Sequence, residues 1–294
     1  MITLIDGLSV GSIYALIALG YTMVYGIAKM LNFAHGDVIM VGAYTVVITL
    51  GYALSPAVAV VAAIIVCTVL CTLLGIIIEK VAYKPLRGAS PLAVLITAIG
   101  VSSLLKGAAQ IWQTSTFKPI NSVWLNLPKF NFLDRLGIST ASIVTLICAI
   151  IIMVALTLFI KFTKTGRAML AVSEDRGAAV LMGINVNKII TVTFAIGSAL
   201  AAFAAMFYLF KFKGAEPTLG EMPGITAFAA AVIGGIGSIP GAMLGGILLG
   251  VIEEICMAVP MLASYATAIK FSLLVVILLV KPTGLLGKVT REKV

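Results

Sequence analysis

Residues 38–78 read VIMVGAYTVVITLGYALSPAVAVVAAIIVCTVLCTLLGIII, an unbroken run with no acidic or basic side chain. About 20 apolar residues cross a bilayer core as helix, so this run holds two crossings, with a turn at Ser55-Pro56. The apolar residues are continuous and do not alternate, which excludes a transmembrane β-barrel; helices satisfy every backbone group within their own segment. Outward from it, the tracts 107–117, 136–160, 189–210 and 222–252 are also free of charge. Over all 294 residues, 61% are apolar and 11% charged, a composition that excludes a soluble globular domain. The expectation is an all-α integral membrane protein, a single domain over 1–294 built as a polytopic helical bundle. Its spans should lie near 7–28, 37–54, 56–78, 91–111, 140–160, 189–210, 223–259 and 263–281. Met1 to Asp6 carry no Lys or Arg and Gly7 to Ile27 exceed a signal-peptide core, so the first span is expected to be retained.

The tract 223–259 is too long and too rich in glycine for one rod. Gly234-Gly235, Gly237 and Pro240-Gly241 predict two short helices meeting at 237–241, a broken or re-entrant pair, and hence eight or nine spans. Orientation follows from basic residues, which collect in short cytoplasmic loops. Lys29, Lys80, Lys84, Arg87, Lys161, Lys164, Arg167, Arg176, Lys188, Lys281, Lys288, Arg291 and Lys293 share one side. That side is the cytoplasm, with the N-terminus outside and the C-terminus inside. An odd number of crossings is then needed: nine, or seven with a re-entrant hairpin. The net charge of +9 thus has a topological meaning, and no basic tail or aromatic-basic interleaving points to nucleic acid. The segment 112–139, with Trp112, Pro119, Trp124 and Pro128, reads as an interfacial loop. Cys67, Cys71, Cys148 and Cys256 lie inside apolar runs and read as packing residues; no metal site is expected.

Twenty-eight residues, 161–188, separate two spans, long for a compact membrane protein. Ser173 as N-cap, Glu174 and Asp175 in the first turn and Gly183 at a left-handed C-cap predict a short helix of roughly nine residues, about 13 Å long. It could lie at the headgroup boundary, or dock a cytoplasmic partner through Leu181 and Met182.

The run Ala178-Ala179-Val180-Leu181-Met182-Gly183 is similar to the Ala-Ala-x-x-x-Gly core of the coupling motif of ATP-binding-cassette importer permeases. Gly177 stands where the usual acid precedes the alanine pair, with Glu174 and Asp175 further upstream; this displacement resembles the variant of the branched-chain amino acid importer permeases. The blocks Gly11-Ser12-Ile13-Tyr14-Ala15 through Gly26, Asn32-Phe33-Ala34-His35-Gly36-Asp37, Arg167-Ala168, Gly234-Gly235 through Gly241 and Lys281-Pro282-Thr283-Gly284-Leu285-Leu286-Gly287 match the same family over nearly the whole chain. The resemblance implies a multi-pass subunit of the bacterial inner membrane that imports leucine, isoleucine or valine. It implies as partners two cytoplasmic ATPases, a second homologous or identical permease, and a periplasmic or extracellular binding protein. Arg167, Glu174, Asp175, Ala178, Ala179, Leu181, Met182 and Gly183 would couple to the ATPases. Relatives of this type also carry urea, amides and other amino acids.

No phosphate-cradling Gly-x-x-x-x-Gly-Lys-Ser/Thr loop exists; Thr163 precedes the sole Lys-Ser/Thr pair, Lys164-Thr165. The chain is therefore expected to be no enzyme, to need no cofactor, and to draw energy from a partner or an ion gradient. His35, the sole histidine, lies in the polar interruption Asn32–Asp37 and is either structural or part of a gate. Asn32, His35, Gly36, Asp37, Gly237 and Pro240 are pathway or gate candidates, since ionisable groups and irregular backbone inside a membrane need a reason. A carrier using His35 and Asp37 as a proton relay is the alternative. Ser9, Ser12, Thr22, Thr97, Ser102 and Ser103 supply hydroxyls, for solute or for helix packing. Gly7-x-x-x-Gly11, Gly241-x-x-x-Gly245 and Gly246-x-x-x-Gly250 predict close helix contacts, within the chain or between two subunits. Glu253 and Glu254 belong to an external gate or to the outer interface. A faint likeness between 11–15 and 197–201 hints at related halves.

Overall fold

The computed structural model describes residues 2–52, 55–120 and 138–287. Trp124 and Pro128 of the expected interfacial loop, and Lys288, Arg291 and Lys293 of the basic tail, lie outside the described residues. The described chain is helices joined by turns, with one two-residue antiparallel bridge, β1 (Lys118–Pro119) on β2 (Gly214–Ala215). Among the described residues, six helices are long and apolar enough to cross a membrane: α1 (Ile2–Ala28), α3 (Pro56–Ile78) with its continuation to Leu86, α4 (Pro91–Gln113), α5 (Thr140–Phe162), α8 (Val186–Phe212) and α10 (Ile239–Ala258). Three apolar helices are shorter: α2 (His35–Gly51), α9 (Glu221–Gly234) and α12 (Ala266–Val280). The segment after α5 folds as α6 (Lys164–Glu174) and α7 (Arg176–Leu181), and a single turn, α11 (Pro260–Ala263), precedes α12.

The expected break in 223–259 falls earlier than the glycines suggested, between Gly234 and Ile239, and the second helix is a full 20 residues. Pro240 and Gly241 lie in the first turn of α10, where proline's missing N–H is one of the donors a helix start leaves free, and Ser238 accepts from Gly241 N as N-cap. Gly235, at φ 104°, makes the actual turn.

Two similar three-helix units carry the core. In each, a 27-residue helix (α1, α8) leads into a short helix (α2, α9) and then a third (α3, α10). α1 and α8 pack on each other at the centre, α1 also packs on α9 and α10, and α8 on α2 and α3. The likeness of 11–15 to 197–201 therefore lies in the two equivalent helices.

Glycine sets these distances. A Cβ on Gly11 would sit 2.7 Å from Ile247 Cα, and one on Gly7 2.9 Å from Val251 Cα. Gly246 meets Ala15, Gly250 meets Gly11, and Gly241 and Gly245 meet Gly234 and Ala230. Each four-residue glycine pair thus makes contacts within this chain.

Candidate functional site

Helix α2 starts inside the bundle, beside the middle of α1. Its first residues pack beside Gly20 and Tyr21, and Gly20 precedes the end of α1 by eight residues, about 12 Å of helix. Residues 29–34 therefore turn back into the bundle; Met30, Asn32 and Ala34 are buried. Helix α9 starts at the same place: a Cβ on Gly36 would lie 3.3 Å from Gly224 Cα, and Gly36 faces the Gly220 backbone. Only glycine permits this approach. Two helix N-termini, each with unsatisfied N–H groups and partial positive charge, thus meet inside the protein. Tyr21 lies beside this junction, and Asp37 and Glu221 put acids in the respective first turns.

The candidates from the Asn32–Asp37 block separate here. Gly36 and Asp37 line a cavity of about 200 Å³ together with Tyr21, Phe33 and the α4 residues Leu95, Ile99, Ser102 and Lys106, closed by Gly220, Glu221, Gly224 and Ile225. Asp37 is 2% exposed, and Ser102 and Lys106 line the same cavity. Lys106 Nζ stands 3.3 Å from Glu221 Oε2. His35 points elsewhere, buried against Gly20 with Tyr21 edge-on at 4.9 Å. Asn32 Oδ1 accepts from Tyr83 hydroxyl at 3.0 Å, a packing contact. Lys106 and Glu221 were missed by sequence reasoning. Their signal was available: Lys106 is the one charge in α4.

Gly237 and Pro240 stand apart from this cavity. Gly237 and Ile239 border a small cleft with Gly26, Ile27, Met169 and Ser173, between the end of α1 and α6. Beside it, Lys281–Gly287 packs onto the α9–α10 turn: Leu285 N donates to Ile233 O at 2.8 Å and Leu286 N to Gly234 O at 2.9 Å, satisfying carbonyls a helix end leaves free. A Cβ on Gly284, at φ 78°, would meet Gly235. Two motifs distant in sequence thus form one structural unit.

In the 161–188 segment the expected single helix is two. Ser173 is not an N-cap; its hydroxyl donates to Leu170 O inside α6, and Glu174 ends that helix. Asp175, extended at φ −151°, caps α7 by accepting from Ala178 N at 3.0 Å. Extended backbone at 175 splits a helix that its residue types alone would have continued. Gly183 takes φ 78°, with Gly183 N on Val180 O and Ile184 N on Ala179 O, a Schellman ending. Ala179 is buried, while Arg167, Glu174, Asp175 and Ala178 are exposed and Leu181 and Met182 are 89% and 82% exposed. Sequence reasoning missed Arg176, which donates to Ile27 O at 3.0 Å and so pins α7 to the end of α1; burial and the nearby Arg87 lower its pKa. It also missed Glu79, fully buried in a π-helical turn after α3, paired with Arg87 and accepting from Thr191 at 2.8 Å. Glu253 and Glu254 are ion-paired, the first with Lys270 at 2.9 Å and the second with Lys211. Among the described residues, no group of His, Cys, Asp and Glu has the makings of a metal site.

Apolar spans, paired charges and helix starts inside the bundle define a polytopic helical membrane protein of the permease class. The chain belongs to the family described as branched-chain amino acid transport system / permease component, whose sequence profile matches residues 3–278. It is 45% identical to the high-affinity branched-chain amino acid transport system permease protein BraD of Pseudomonas aeruginosa, over 99% of this chain and 97% of that one. It is 41% identical to the corresponding LivH of Escherichia coli K12, over 98% and 96%. A more distant relative is the ribose import permease protein RbsC of Escherichia coli K12, 24% identical over 83% of this chain and 74% of that one. No solved structure matches.

Proposed function

We propose that this chain is the membrane-spanning permease subunit of an ATP-binding-cassette importer that brings branched-chain amino acids into the cytoplasm. The observation that carries the reading is α7: a helix capped at both ends that holds Leu181 and Met182 out from the protein, in a chain alignable end to end with permeases named for these solutes. An apolar pair left outside needs a covering partner, and a short rigid helix suits a groove on another protein. In this reading α7 docks on an ATPase; Arg167, Glu174 and Asp175 frame the contact, and Arg176 passes movement to α1. A second permease, a second ATPase and an external binding protein complete the assembly in a bacterial inner membrane.

The N-terminus lies outside and Lys281 inside. The nine helices α1–α5, α8–α10 and α12 then occupy the membrane; α2 and α9 start within it, which suits a gate formed by Gly36 and Asp37. Gly237 and Pro240 sit on the coupling side, and Asn32 and His35 brace the junction. ATPase activity of the reconstituted complex, measured across a panel of binding-protein ligands, tests the reading: stimulation by leucine, isoleucine and valine is expected. Stimulation by urea, an amide or another amino acid alone would replace the solute. Uptake by this chain alone, abolished by an ionophore and indifferent to ATP, would replace the class with a gradient-driven carrier.

A further inference from the structure

The cavity between α2, α4 and α9 contains more charge than packing explains. Asp37 and Glu221 each sit in the first turn of a helix, where an acid offsets the dipole, and Lys106 neutralises one of them. A purely structural cluster would close on itself. Here about 200 Å³ stays open among the three charges, walled on one side by Phe33, Leu95, Ile99 and Ile225. That is below the roughly 300 Å³ at which drug-sized sites begin, and it suits a small solute. Lys106 lies seven residues inside the end of α4, about 10 Å of helix, where lipid would penalise a charge. Its side chain is nonetheless 26% exposed, and that of Glu221 48%.

We infer that this cavity is an intramembrane site for an amino acid zwitterion, with Asp37 holding the ammonium, Lys106 the carboxylate and the Leu95–Ile99–Ile225 wall the branched side chain. The inference rests on the importer reading above. Asp37 is the more deeply buried acid, and Ser102 lines the same space. Lys106 shares its ammonium between Glu221 and the arriving carboxylate, so solute binding loosens the one ion pair joining α4 to α9 among the described residues.

Two measurements test it. In proteoliposomes of the complete importer, Asp37→Asn and Lys106→Met should each cut uptake of labelled L-leucine at least about tenfold, as expected when one partner of a charge contact is removed. Lys106→Arg should recover much of the loss. Wild-type uptake with unchanged rates in both variants overturns the site and leaves the importer reading standing; a wild-type complex that imports no branched-chain amino acid overturns that reading instead. Thiol labelling of a Ser102→Cys variant, read by peptide mass spectrometry in the assembled complex, needs no transport and covers charge variants that fail to assemble. L-Leucine should slow labelling, and L-leucinamide and 4-methylpentanoate, which lack one charge each, should slow it far less. Equal labelling with all three additions overturns the site.

Discussion

Gly11 faces the backbone of Ile247, with Ile247 O 2.8 Å from where its Cβ would be. Backbone cannot rotate away as a side chain can, so Gly11→Val should destabilise the protein by about 1–3 kcal/mol, seen as a lower thermal midpoint in detergent. Gly183 gives the opposite case. Nothing lies within 4 Å of its Cβ position, and only φ 78° restrains it. Gly183→Val should therefore leave insertion and yield intact, cost about 1–2 kcal/mol locally, and uncouple ATP hydrolysis from uptake by disordering the end of α7. Unchanged uptake in that variant would remove α7 from the coupling role. Glu79 is fully buried against Arg87, and Glu79→Ala leaves that guanidinium without its counter-ion, held only by Asn187. A loss of about 3 kcal/mol is expected in chemical unfolding.

At the scale of elements, α7 is held by three devices: Asp175 at its start, the Schellman turn at its end and Arg176 on Ile27 O. The first two shape the helix, and the third attaches it to α1. Arg176→Ala should thus preserve α7 and its partner contact while weakening transmission. A hydrogen bond to a charged group contributes about 1.5–3 kcal/mol, so coupled uptake should fall roughly tenfold while ATPase binding, measured by copurification, holds. Loss of copurification would show that Arg176 serves the partner contact itself. The α9–α10 turn depends on a segment fifty residues away, since the carbonyls of Ile233 and Gly234 take their donors from Leu285 and Leu286.

Over the whole molecule, two three-helix units cross-pack so that their short helices start face to face at Gly36 and Gly220. The equivalence predicts that Gly36→Ala and Gly220→Ala give similar losses of uptake, and a large effect from only one would argue against it. The sequence by itself determined the membrane class, the positions of the apolar helices, the family and the left-handed turn at Gly183, because hydropathy, charge and φ preference are local properties. It also held the glycines, yet left open what they touched. Tertiary structure alone decided that they pack within one chain, that residues 29–34 turn inward, and that Asp37, Lys106 and Glu221 enclose one space. Those facts depend on which backbones approach across long separations in sequence. Spacing along one helix cannot carry that information: Lys106 is the one charge in α4, and only the fold sets it beside Asp37 and Glu221.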